Sequence, residues 1–174
     1  MRYLTIVRHA KAGAPAPGES DFDRPLSGRG RRQCEELCHW ANDARSLGAF
    51  GPTTALVSSA ARTRETYRRA FEGTAFVSSV IFSDLIYNGR HDVTAEDLVS
   101  ELAVVDPVSS SLLVVAHNPS VHELVDQLAT EVPEILRHDG YPLGGAFVVE
   151  LPDDQRIGLS RYRVVARYVP RGAA

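Results

Sequence analysis

The sequence predicts a three-layer α/β sandwich with a largely parallel central sheet flanked by helices, and three observations carry that expectation. Short apolar, β-rich runs alternate with segments of helical period. One run, Leu112 to Ala116, is apolar throughout, as a strand covered on both faces must be. Three of the runs end abruptly in polar residues suited to chemistry, and in such sheets ligands settle beyond the carboxyl ends of the strands.

The elements follow in order. Tyr3 to Val7 reads as a strand that ends in Arg8-His9-Ala10-Lys11. Residues 12 to 26 hold three of the ten prolines together with Gly13 and Gly18, which predicts a surface excursion. Ser27 is placed to cap a helix whose buried stripe is Cys34, Leu37, Cys38, Ala41 and Ala44, with Gly48 as its stop. Thr54 to Val57 reads as a second strand, followed by a helix from Ala60 to about Phe71 capped by Ser58 and Ser59. A third strand is expected near Phe76 to Phe82, and a helix from Thr94 to Val105 ahead of Pro107. After Leu112 to Ala116 come His117-Asn118-Pro119. Here Asn118 reads as the cap and Pro119 as the first residue of a helix that buries Val121, Leu124, Val125 and Leu128. Ala146 to Leu151 and Leu159 to Val169 read as closing strands around a Pro152-Asp153-Asp154 turn.

The 174 residues, 44% hydrophobic and 24% charged, suffice for one apolar core, so residues 1–174 are expected to form a single domain. The net charge of −3 gives no basic excess to attract nucleic acid or anionic lipid. No apolar run approaches the roughly 18 residues a membrane span needs. Met1 to Val7 is too short and interrupted for a signal peptide, so a cytoplasmic location is expected. Cys34 and Cys38 share a helix face and read as reduced, core-packing thiols.

The three strand ends deliver Arg8-His9, then Ser58 to Thr63 with Arg62, then His117. A phosphoryl group presents several anionic oxygens, which planar guanidiniums bind through paired, charge-assisted hydrogen bonds. A neutral imidazole beside them is a competent nucleophile, and adjacent cations keep it neutral by opposing protonation. Helix N-termini near Arg62 and Asn118 are expected to add to the positive pocket. A Walker loop, a metal-type histidine and carboxylate cluster and a G-x-S-x-G elbow are all missing from the sequence, so no cofactor and no metal is expected.

Arg8-His9-Ala10 resembles the R-H-G/A signature of the histidine phosphatase superfamily. Ser58 to Thr66 resembles its S-x-x-x-R-x-x-x-T segment, and Leu26-Ser27-Gly28-Arg29-Gly30 its L-[ST]-x-x-G turn. The separations of 53 positions from His9 to Arg62 and 55 from Arg62 to His117 are similar to the short, SixA-type phosphohistidine phosphatase branch. The resemblance covers nearly the whole chain and implies a phosphoglycerate mutase-like fold and a phosphohistidine intermediate on His9. It also implies phosphate held by Arg8, His9, Arg62 and His117, with His117 facing the equatorial oxygens. Asp84 stands where larger members carry a glutamate general acid, although a turn-capping carboxylate fits its short side chain as well. Tyr87-Asn88-Gly89-Arg90 resembles an L-Y-N-A stretch at the pocket mouth.

The expected activity is therefore a metal-independent phosphatase. Its substrate is a phosphorylated small molecule or a phosphohistidine-containing protein. A non-catalytic phosphate-binding or phosphoprotein-binding module and a mutase-like phosphotransferase are the alternatives. Lys11 reads as a rim lysine. His39, His91, His122 and His138 read as surface or core residues, and Trp40 as packing. Gly144-Gly145 is placed to let backbone approach the site closely or to form an ordinary loop.

Overall fold

The computed structural model describes residues 1–43, 52–89, 91–158 and 160–172. Its sheet has six strands: β1 (Arg2–Arg8), β2 (Thr53–Ser58), β3 (Val77–Ser83), β4 (Ser111–Ala116), β5 (Ala146–Leu151) and β6 (Val164–Tyr168). They lie in the order β3-β2-β4-β1-β5-β6. The first four run parallel, while β5 and β6 extend one edge antiparallel. Among the described residues the α-helices are α1 (Gly28–Asn42), α2 (Ala61–Ala70), α3 (Ala95–Val105), α4 (Ser120–Leu128) and α5 (Glu134–His138).

Side-chain alternation along the strands divides the interior into two cores, as a period of two requires. Leu4, Ile6, Leu56, Leu112 and Val114 pack toward α3 and α4, against Leu98, Leu102, Leu124 and Leu128. Val7, Ala55, Val57, Leu113 and Val115 pack on the other face against Cys34 and Leu37 of α1 and Tyr67 and Phe71 of α2. This is the expected three-layer sandwich. Among the described residues no helix is long and apolar enough to cross a membrane.

Most elements fall where the sequence puts them. Ser27 caps α1 by accepting from the Gly30 amide at 3.1 Å, and Thr94 and Asp97 form a reciprocal capping box on α3. Cys34 and Cys38 are free thiols, and burial pushes Cys34 up to about 12. Trp40 packs near Tyr168, with ring centroids 5.5 Å apart. Ala44, Gly48, Arg90 and Leu159 lie outside the described residues.

Three local expectations are corrected. Ser58 and Ser59 do not cap α2, whose N-cap is Ala60 with no side-chain bond, because both hydroxyls are engaged elsewhere. Asn118 does not cap α4. Pro119 takes the cap position with φ −83° and ψ −12°, and the helix opens at Ser120, whose hydroxyl donates to the His117 carbonyl at 2.8 Å. The last strand begins only at Val164, because Tyr162 is still occupied in a separate parallel bridge to Ala129.

Candidate active site

The parallel strands all end on one side of the sheet. Arg8 pairs with Ala116 in register, so His9 and His117, each one residue beyond its strand, emerge side by side. Their ring centroids lie 5.2 Å apart. Arg62, the second residue of α2, is 5% exposed and points its Nε–H at His9 Nε2 across 3.3 Å. The two imidazoles and Arg62 thus meet. Arg8 joins them from the end of β1, with one Nη1 bond to the Tyr141 carbonyl at 2.6 Å and a buried Nε that has no partner among the described residues.

The hydrogen bonds fix how each ring can react. His9 Nδ1 lies 2.7 Å from the Ala10 carbonyl, an oxygen that can only accept, so Nδ1 carries the proton and Nε2 the lone pair. The free pair faces the arginine. Burial holds His9 far below its ordinary value, at about 3; the Ala10 bond opposes this, and the charges of Arg62, Arg8 and Arg24 add to it. His117 is also held well below its ordinary value, by burial first and then by His9, Arg62 and Arg8. Both rings are therefore neutral near neutral pH. His117 Nε2 meets the Ser58 hydroxyl at 2.8 Å, while its buried Nδ1 has no partner among the described residues. With Ser58 donating to Nε2, Nδ1–H is left as a donor for an incoming oxyanion.

The loop that carries His9 is braced on several sides. The Ala10 amide donates to Thr66 Oγ1 at 3.1 Å and the Lys11 amide to Gln33 Oε1 at 2.9 Å. The Lys11 carbonyl accepts from the Ser27 amide and hydroxyl. A Cβ on Gly30 would stand 2.1 Å from that carbonyl, so only glycine lets α1 approach this closely. Gly144, at φ +70°, donates its amide to the Arg8 and His9 carbonyls at 3.2 and 3.1 Å, and Gly145 accepts from the Arg8 amide. The expected close approach at Gly144-Gly145 is present.

Asp84 opens a 3-10 turn (Asp84–Ile86) just beyond β3, and its carboxylate accepts from the Ser59 hydroxyl. It does not cap that turn, since the Ser83 hydroxyl receives the Leu85 amide instead. Asp84 lines a cavity of about 760 Å³ together with Asp21, Phe22, Leu85, Tyr87 and His91. Tyr87 connects this cavity to the imidazoles, its ring centroid lying 5.6 Å from that of His117 and 5.9 Å from Arg62 Cζ. The Lys11 side chain is exposed. His122 faces Asp126 at 3.7 Å on α4, outside this arrangement.

Sequence reasoning missed Asp21 and Arg24. Both lie in the excursion, where a 3-10 turn (Asp21–Asp23) brings the Asp21 carboxylate to Arg62 Nη2 at 3.0 Å and Arg24 Nη2 at 3.1 Å. The available signal was a charged Asp-Phe-Asp-Arg stretch set directly before Pro25-Leu26-Ser27.

No protein-family model matches the chain, and no curated protein matches it. Solved structures do. The chain is similar to a structure assigned as the phosphohistidine phosphatase SixA of Agrobacterium tumefaciens, with 29% identity, a TM-score of 0.75 and coverage of 97% of this chain and 99% of that one. A protein likewise assigned as SixA, from Nakamurella multipartitia, shows 25% identity, a TM-score of 0.71 and coverage of 98% and 97%. The protein histidine phosphatase SixA complexed with tungstate shares the fold at 20% identity and a TM-score of 0.73, over 96% of each chain. These likenesses favour a phosphatase over a binding module or a mutase. The chain is thus similar along nearly its whole length to the short, SixA-type histidine phosphatases.

Proposed function

We propose that the protein removes phosphoryl groups through a covalent intermediate on His9 Nε2, and that its substrates include phosphohistidine side chains of proteins. One observation carries the assignment of the nucleophile. The Ala10 carbonyl holds the His9 proton on Nδ1, which leaves a lone pair on Nε2 among Arg62, Arg8 and His117.

In the first step the Nε2 pair attacks phosphorus while the bond to the leaving group breaks and its electrons depart with that group. Arg8, Arg62 and His117 Nδ1–H receive the charge that spreads over the phosphoryl oxygens. Water then attacks the phosphohistidine. The P–N bond breaks, inorganic phosphate leaves, and the pair returns to Nε2. An alkoxide leaving group requires a proton, and Asp84, which lines the cavity, is the carboxyl group we assign to supply it. A departing imidazole depends on that acid less, and the exposure of Asp84 is in keeping with a phosphoramidate substrate.

Incubation with a radiolabelled phosphoryl donor tests the reading. Acid-labile, alkali-stable label on the wild type that is lost in His9→Ala is the expected result. Turnover of an aryl phosphate that His9→Ala leaves intact would refute it.

A further inference from the structure

Arginine presents two hydrogen-bonding edges, an end-on edge formed by both terminal nitrogens and a side-on edge formed by Nε and Nη2. In this structure the end-on edge of Arg62 is occupied. Nη1 donates to the Asp21 carbonyl at 2.8 Å and Nη2 to Asp21 Oδ2 at 3.0 Å. The side-on edge is thereby turned toward the nucleophile, with Nε–H facing His9 Nε2.

The carboxylate that does this is itself held. Asp21 Oδ2 also accepts from the Tyr87 hydroxyl at 2.9 Å, and Oδ1 faces Arg24 Nη2 at 3.1 Å. Phe22, the next residue, packs edge-on against the Tyr87 ring with centroids 5.0 Å apart. Ser20 caps the turn by accepting from the Asp23 amide. Asp21 therefore has donors on both oxygens. Its side chain remains 54% exposed, while that of Arg62 is 6% exposed, so the acid sits on the solvent side of the guanidinium and leaves the inner side to the imidazoles.

We propose that Asp21 is a positioning residue for phosphoryl binding: it clamps the outer edge of Arg62, ties Arg24 to the same carboxylate, and so presents the inner edge of Arg62 to the phosphoryl oxygens beside His9. This rests on the phosphatase reading above and assigns a role within that site. The depressed carboxyl of Asp21, lowered by the Tyr87 hydroxyl and by the charges of Arg62 and Arg24 against the opposing effect of burial, keeps the clamp ionised at neutral pH. The opposite arrangement, in which Asp21 competes with phosphate for Arg62, would place the acid on the inner edge, where His9 is found instead.

The test measures orthovanadate affinity by calorimetry and aryl phosphate turnover in wild type, Asp21→Ala, Asp21→Asn and Tyr87→Phe. Loss of the clamp in Asp21→Ala is expected to weaken vanadate binding and raise KM by about tenfold, with kcat changed less than about threefold. Asp21→Asn, which keeps one acceptor, is expected to fall between, and Tyr87→Phe to weaken binding by about twofold to threefold. Tighter vanadate binding in Asp21→Ala would show a competing anion and overturn the proposal. So would unchanged binding, or a parallel fall of kcat and affinity in all three variants. Because vanadate binding is read without turnover, a wild type that binds but does not hydrolyse would defeat the phosphatase reading while still testing the clamp.

Discussion

Strand β1 carries an arginine at each end, about 20 Å apart at the usual rise per residue, and the two live in opposite circumstances. Arg2 uses all five N–H groups: two on the Asp106 carboxylate at 2.6 and 2.8 Å, and the rest on the Ser110, Pro152 and Gln155 carbonyls. Asp106 is saturated in turn, since the Val108 and Ile157 amides complete its two oxygens. Arg8 has one carbonyl partner and a buried nitrogen with none among the described residues. The first guanidinium is closed upon itself and the second is left short of acceptors. A buried arginine held for structure is fully paired, while one held for an anionic ligand retains unfilled capacity.

Breaking each end should therefore give opposite phenotypes, and the largest effect belongs to the closed end. Asp106→Ala leaves the Arg2 charge without its counter-ion inside the protein. It is expected to cost about 3–5 kcal/mol in urea unfolding, with little change in kcat for the folded fraction. Arg8→Ala should do the reverse, lowering kcat/KM for an aryl phosphate about 10²-fold, near 2.7 kcal/mol, with stability altered by less than about 1 kcal/mol. A large loss of stability in Arg8→Ala would erase the distinction between the two ends.

Protonation sharpens the same contrast. His9 binds its proton at about 3 when folded, against about 6.5 when unfolded. The unfolded chain therefore holds more protons between those values, and stability falls as pH drops from about 6.5 toward 3. At pH 5 this amounts to about 2 kcal/mol from His9 alone, so His9→Ala should lose less stability than wild type between pH 7 and pH 5. Equal losses in chemical unfolding at the two pH values would contradict a neutral buried ring. The smallest effect is expected at Asp84. Asp84→Asn should slow an alkyl phosphate about tenfold, near 1.4 kcal/mol, yet leave an aryl phosphate within about threefold. An equal fall on both substrates would remove the acid role.

The contrast also explains what the sequence could disclose. Arg8 was legible because it shares a strand end with His9, and the strand ends of an α/β sheet are where ligands gather. Arg2 and Asp106 lie 104 positions apart with no local pattern to join them, so their pairing exists only in the fold. The serines after β2 were misassigned for a related reason. As local sequence they are good caps, but Ser58 is drawn to His117 and Ser59 to Asp84 across the sheet. Asp21 and Arg24 were lost because a proline- and glycine-rich segment reads as a loop whatever its charges face. The apolar runs of β1, β2 and β4 were visible, since each depends on neighbours in sequence alone, while their division between two cores came with the fold.

The missing side chain at Gly30 has a consequence for how this enzyme can change. A methyl group there would collide with the carbonyl of Lys11 and displace the segment that carries His9. Tolerance to substitution is thus set here by the thickness of one peptide plane rather than by proximity to reactants. A residue without a side chain, on the helix behind it, limits how far the His9 loop can be redesigned before that helix must move as well.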